Sequence, residues 1–265
     1  MLMRRVLAAG AVAALGLVAY LGASRDTSIL ARSPYPVERD VPYGSAPRQR
    51  LDLLRRDGPL LLFVHPGGWR SGDKSVYHRW MLHFAERGYA TAAVNFRLEP
   101  YPAPVDDLRE ALRLLRANVK PSRIGVCGWS SGAHLALLLA LDGGGVQAAV
   151  GVSGVYDFLM PTSGAYPNRE DDPNLLAFLG SRPSADPERA RRASPVHHLD
   201  PADPPLLIVH GEADRVVDVE QARHLARKAK DVELIVLPGA DHGRDCFPAE
   251  ALGRVHAFLD RCLKR

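Results

Sequence analysis

The sequence predicts an α/β protein in which a mostly parallel sheet is covered by helices on both faces. Three observations carry this. The run Leu60–Val64 is apolar at every position and Ala90–Phe96 nearly so, as strands buried on both sides require. Such runs alternate along the chain with segments of helical periodicity, the order that right-handed parallel crossovers produce. A length of 265 residues, 46% hydrophobic and 24% charged, suits one α/β domain and excludes a disordered, collagenous or disulfide-scaffold chain. The formal charge of +4 comes from 34 Lys+Arg scattered among 30 Asp+Glu, a pattern that gives no support to a nucleic-acid partner.

Two arginines, Arg4 and Arg5, precede an uncharged run from Val6 to Ser24. That run reads as an export signal or a membrane anchor. It exceeds the usual secretory core of about 7–15 residues and approaches the about 20 of a spanning helix. The one small-residue cleavage site is Gly22-Ala23-Ser24, and no cysteine stands there for lipid attachment. The flanking arginines direct the rest of the chain to the outer side of a membrane. Residues 1–32 are therefore expected to be a signal or anchor with its linker, and residues 33–265 the α/β domain.

Val37–Tyr43 and Arg50–Leu54 are short extended pieces split by a turn at Gly44–Pro47, an antiparallel edge. After the strand Leu60–Val64 comes a helix over about Val76–Arg87, stopped by Gly88. The strand Ala90–Phe96 is followed by a helix over about Val105–Asn118, with Val105, Leu108, Leu112 and Leu115 on one face. RIGVC, GWSSG and AHLALLLAL then form a strand, a sharp turn and an apolar helix. VQAAVGVS, PPLLIVHG and VELIVLPG supply three more strands, with helices at about Val219–Ala229 and Pro248–Leu263. Between Val155 and Pro205 the pattern breaks into a stretch rich in Pro, Asp and Arg, with one short apolar segment at Leu175–Leu179. An insertion of this kind in an α/β protein is expected to be a lid or cap.

Gly128-Trp129-Ser130-Ser131-Gly132 matches G-x-S-x-G and falls between an apolar strand and an apolar helix. There a strained turn lifts the Ser130 hydroxyl above the carboxyl edge of the sheet. The free N–H groups of the following helix face the place where an oxyanion would form. His65-Pro66-Gly67-Gly68-Trp69 follows the third strand, and its consecutive glycines let main-chain N–H groups approach a substrate carbonyl. Pro66 has no N–H to offer. His65 is expected to prop that loop rather than act as a base. Asp214 and His242 each follow an apolar strand at its carboxyl end and so converge on Ser130. A serine hydroxyl needs a base to take its proton, and the base needs a carboxylate to fix its tautomer. Asp218, where a helix begins, reads as a cap, and Asp241 as pointing away from His242. Trp69 and Trp129 flank the site and are candidate substrate contacts. His78, His83, His134, His224 and His256 lie on helices without acidic partners at ligand spacing, and His197-His198 lacks a third ligand, so no metal or cofactor is implied. Cys127 reads as a small buried hydrophobe. Cys246 and Cys262 either pair in an oxidising compartment or stay free.

These residues carry a resemblance. VHPGGWRSGDK, NFRLEPYPAPVDDLREALRLLRAN, GWSSGAHLALLLAL, SPVHHLDPADPPLLIVHGEADRVVDVEQARHLA and VLPGADHG resemble the α/β-hydrolase superfamily, in particular the esterase branch with an H-G-G-x-W-type loop. That branch includes acetyl-xylan and feruloyl esterases, hormone-sensitive-lipase-like esterases and kynurenine formamidase. The resemblance implies Ser130 as nucleophile, Asp214 and His242 as its partners, and the N–H groups of Gly67, Gly68 and Ser131 as an oxyanion hole. It departs from the pattern at Pro66, where relatives usually have Gly, and at Ser131-Gly132-Ala133, where they often have Ala-Gly-Gly. The function implied is a serine carboxylesterase for short-chain acyl esters, with a small-molecule ester as its partner. The alternatives are an arylformamidase or other amidase, and a membrane-tethered binding protein without activity.

Overall fold

The computed structural model describes residues 28–160, 169–243 and 247–264. The uncharged run Val6–Ser24 and Cys246, with its possible pairing to Cys262, lie outside the described residues. Eight strands form one sheet: β1 (Val37–Pro42), β2 (Arg50–Leu54), β3 (Leu60–Val64), β4 (Ala90–Val94), β5 (Ile124–Trp129), β6 (Ala148–Val152), β7 (Leu206–Gly211) and β8 (Val232–Leu237). Their spatial order is β1-β2-β4-β3-β5-β6-β7-β8. β2 pairs antiparallel with both β1 and β4, and every later pairing is parallel. The apolar run Leu60–Val64 accordingly sits near the middle, flanked by β4 and β5 and buried at all five positions.

Helices cover both faces. On one side lie α1 (His78–Glu86) and the C-terminal α7 (Ala249–Leu263). On the other lie α2 (Ala103–Val119) and α3 (Ser131–Leu141). Strand alternation decides which side chain meets which layer: Val126 packs with α2 and α3, whereas Cys127 and Trp129 pack with α1 and α7. Helix α3 is buried at every residue, because the sheet lies beneath it and the cap above.

The helix over Val76–Arg87 begins instead as a tight 3-10 turn, Lys74–Tyr77, whose start is capped by the Asp73 carboxylate accepting from the Ser75 N–H (2.9 Å). The insertion contains α4 (Pro173–Leu179) and α5 (Pro187–Arg192). Each opens on a proline preceded by an aspartate whose carboxylate accepts backbone N–H groups of the first turn: Asp172 from Asn174 and Leu175, Asp186 from Arg189. Leu175, Phe178 and Leu179 face down into the core on the α2 and α3 side. The fold also reaches back beyond residue 33. Leu30 is 2% exposed and packs in the α1 and α7 layer.

Candidate active site

The elbow is built from close backbone approaches. Ser130 follows β5 with φ 55° and ψ −125°, a left-handed conformation that a non-glycine residue holds only when its surroundings impose it. Here the Ser130 N–H donates to the Val152 carbonyl (2.8 Å), and its own carbonyl accepts from the His134 N–H (3.1 Å). The flanking glycines are obligatory. A Cβ on Gly128 would stand 2.2 Å from the Gly132 carbonyl oxygen, and one on Gly132 would stand 2.1 Å from that of Val64. Strand, turn, helix and the end of β3 thus touch backbone to backbone, and Ser130 lines a cavity beside them.

β7 and β8 deliver the other two groups. The His242 Nε2 lies 3.0 Å from the Ser130 Oγ, and its Nδ1 lies 2.8 Å from the Asp214 Oδ2. The serine hydroxyl donates to Nε2, and the Nδ1–H donates to the carboxylate. Asp214 is buried and held from every side: its Oδ1 accepts from the Val216 and Val217 N–H groups (2.8 Å each), while Oδ2 also lies 3.2 Å from the His210 Nε2. Burial alone would raise this carboxyl's pKa, but the hydrogen bonds from His210 and His242 outweigh it and hold the group well below the usual carboxylate range. The loops carrying Asp214 and His242 are locked together, since the Ala213 N–H donates to the Ala240 carbonyl (2.9 Å). A Cβ on Gly211 would meet that same carbonyl at 2.4 Å.

The rival acids are engaged elsewhere. Asp218 accepts from the Glu220 N–H at the start of α6 (Glu220–Lys228). Asp241 accepts from the His242 N–H (2.8 Å) and binds the Arg215 guanidinium, so it shapes the loop from outside. His210 went unremarked as part of this site in the sequence; its place four residues before Asp214, at the end of β7, was the available signal.

The glycine loop folds over β3. His65 is buried, stacks on Phe96 (4.2 Å, 11°), donates from Nδ1 to the Pro66 carbonyl (2.8 Å) and accepts from Arg48 at Nε2. Burial pushes its pKa down to about 4, so it is a neutral prop. Gly67 turns the chain at φ 129°, where a Cβ would stand 2.3 Å from the Ser71 carbonyl oxygen. Gly68, Trp69, Ser130 and Ser131 line the cavity together, while Gly67 lies one residue behind. The two tryptophans separate. Trp69 lines the cavity, stacked on Phe178 (4.9 Å). Trp129 lies on the opposite face of the sheet and donates from Nε1 to the His242 carbonyl (3.3 Å), supporting the histidine loop from beneath.

The cavity has a volume of about 330 Å³, and the cap supplies much of its wall through Phe158, Leu159, Met160, Asn174 and Leu175. Among the described residues no cluster of three His, Cys, Asp or Glu is placed to hold a metal ion. His197 and His198 diverge: the first faces Asp157 (3.3 Å), and the second donates to the Arg192 carbonyl (2.8 Å). Cys127 is buried, and burial raises its thiol pKa.

A mostly parallel sheet with a serine on a left-handed strand-to-helix turn, an acid after β7 and a histidine after β8 defines an α/β-hydrolase. The profile of the BD-FAE family matches residues 54–229, and the chain belongs to that family. It is 30% identical over 255 residues to Esterase LipC of Mycobacterium tuberculosis (83% of this chain, 62% of that protein). It is 31% identical over 229 residues to the probable carboxylic ester hydrolase LipM of the same organism (75% of this chain, 53% of that protein). The chain thus spans less than two thirds of the length of these relatives. Among solved structures, the truncated form of a carbohydrate esterase from gut microbiota superposes with a TM-score of 0.79 at 23% identity, covering 87% of this chain and 97% of that one.

Proposed function

We propose that the chain is a serine carboxylesterase that hydrolyses short-chain acyl esters through an acyl-enzyme on Ser130. The observation that carries this reading is the unbroken hydrogen-bonded line from Ser130 through His242 to Asp214, opening on a cavity beside Gly68 and Ser131. The Ser130 Oγ attacks the ester carbonyl carbon as His242 takes its proton at Nε2. Asp214 steadies the imidazolium through Nδ1. The developing oxyanion is met by main-chain N–H groups of Gly68 and Ser131, with Gly67 behind them, and by the positive end of α3. His242 then gives its proton to the leaving alkoxide oxygen. In the second half-reaction it takes a proton from water, whose oxygen attacks the acyl carbon, and returns that proton to Ser130 as the acid leaves.

The names of the two mycobacterial relatives support the ester class. The cavity supports short acyl groups: about 330 Å³ is at the low end of the roughly 300–1,000 Å³ of small-molecule sites. The reading includes an outer location, supported by the run Val6–Ser24 behind Arg4 and Arg5. The full-length chain should then be extracted from membranes by detergent, or be recovered shortened after export. An intact chain in the soluble cytosolic fraction contradicts this part.

The test of substrate class is kcat/KM over p-nitrophenyl esters from acetate to laurate, beside N-formylkynurenine. An optimum between acetyl and butyryl is expected. Each further CH₂ that finds apolar wall adds up to about 0.8 kcal/mol, roughly fourfold, so an optimum at C10 or longer overturns the short-chain reading. Turnover of the formamide without turnover of any ester overturns the ester class.

A further inference from the structure

His134 is fully buried as the fourth residue of α3, behind the elbow. Its two ring nitrogens face two different parts of the molecule. The Trp69 indole N–H donates to Nδ1 (3.0 Å), and Nε2 lies 2.7 Å from the carbonyl oxygen of Ala193, the residue that closes cap helix α5. An indole nitrogen only donates and a carbonyl only accepts, so the tautomer is fixed: Nδ1 holds the lone pair and Nε2 the proton. Burial presses the pKa down to about 4, so the neutral ring and both bonds persist at neutral pH.

Trp69 follows directly on Gly68 and has φ 59°, a left-handed backbone that a residue of this size adopts only when held. Its ring lies against Phe178 of α4 (4.9 Å, 23°) and edge-on to Phe158 (5.7 Å). The hydrogen bond to His134 adds a directional restraint that these aromatic contacts lack.

We infer that His134 is a positioning residue: by accepting from Trp69 it holds the glycine loop in the conformation that aims its N–H groups at the Ser130 site, and by donating to Ala193 it ties that loop to the cap. The inference rests on the esterase reading above. It makes the shape of the oxyanion hole depend on one side chain that carries no proton in the reaction.

The two bonds are separable by substitution. In His134→Asn the amide oxygen takes the place of Nδ1 and keeps an acceptor for Trp69, while the bond to Ala193 is lost. In His134→Gln the longer amide reaches the place of Nε2 and keeps a donor for Ala193, while the indole N–H loses its acceptor. The experiment measures kcat and KM for p-nitrophenyl acetate per mole of Ser130 titrated by diethyl p-nitrophenyl phosphate, so that misfolded protein is not counted. A misaligned oxyanion hole weakens only the transition state, so His134→Gln should lose about tenfold or more in kcat with little change in KM, and Trp69→Phe should match that loss in kcat. The double variant should be no worse than either single, and the pH profile should keep its shape. His134→Asn should restore kcat to within about threefold of the parent. Equal losses in His134→Asn and His134→Gln overturn the inference, as does a loss that vanishes once activity is expressed per titrated serine. If Ser130 of the parent protein cannot be titrated at all, the esterase reading itself fails, and this inference with it.

Discussion

Replacing Gly132 by alanine would place a methyl carbon 2.1 Å from the Val64 carbonyl oxygen and 2.7 Å from that of His65. Both obstacles are backbone, so no side chain can swing aside. Moving the nearer contact from 2.1 Å to beyond 3.0 Å requires a displacement of about 0.9 Å at the end of β3. That is the root of the glycine loop and the partner of the elbow. A misplacement of about 1 Å in catalytic geometry costs on the order of 100-fold in rate, and forcing a methyl into a packed interior costs about 1–3 kcal/mol of stability. Gly132→Ala is therefore expected to lose about 100-fold in kcat for p-nitrophenyl acetate and several degrees in Tm. Gly253→Ala is the internal control. That residue lies exposed within α7 with nothing within 4 Å of its missing Cβ, so alanine should leave activity unchanged and add up to about 1 kcal/mol. A Gly132→Ala protein with kcat within about twofold of the parent and an unchanged Tm would refute the close approach of elbow and β3.

Asp214→Asn, which keeps the shape of the acid but no longer fixes the imidazole tautomer, is expected to lower kcat by about 10⁴-fold, checked by initial rates at saturating ester. His65 and His134, with folded pKa values of about 4 against about 6.5 unfolded, bind protons in the unfolded chain first. Their contribution is therefore complete above pH 6.5 and is lost as pH falls from 6.5 to 4. This is on the order of 3 kcal/mol for each fully buried ring, so urea midpoints should drop steeply across that window. A chain beginning at Ser33 loses buried Leu30 and should be about 1.5–3 kcal/mol less stable than one beginning at Ser28, as denaturant titration of the two would measure.

Much of this architecture could be read from the chain because burial on both faces leaves an unambiguous mark. Leu60–Val64 admits no polar residue, and the loops that follow such runs come to one edge of a parallel sheet, which is why His65–Trp69, Ser130, Asp214 and His242 meet. What escaped was set by side-chain direction and by short polar elements. Trp129 adjoins Ser130 in sequence, but strand alternation turns its ring to the α7 side, away from the cavity that Trp69 lines. α5 is six residues of mostly charged side chains, whose signal was only the Asp186-Pro187 start. His134 looks like an ordinary helix residue because its partners, Trp69 and Ala193, are brought to it by the fold, whereas the partners of His210, Asp214 and Val217, lie only four and seven residues on.

The central claim is that Ser130 is the nucleophile, and the most direct measurement is covalent capture. A fluorophosphonate probe should add one label per chain, located by peptide mass spectrometry on Ser130. An ester substrate should slow the labelling. Ser130→Ala should take up no label and lose several orders of magnitude in ester turnover while keeping the parent circular dichroism and Tm. A label found on another residue, or a Ser130→Ala protein retaining more than about a tenth of the parent turnover, would contradict the account.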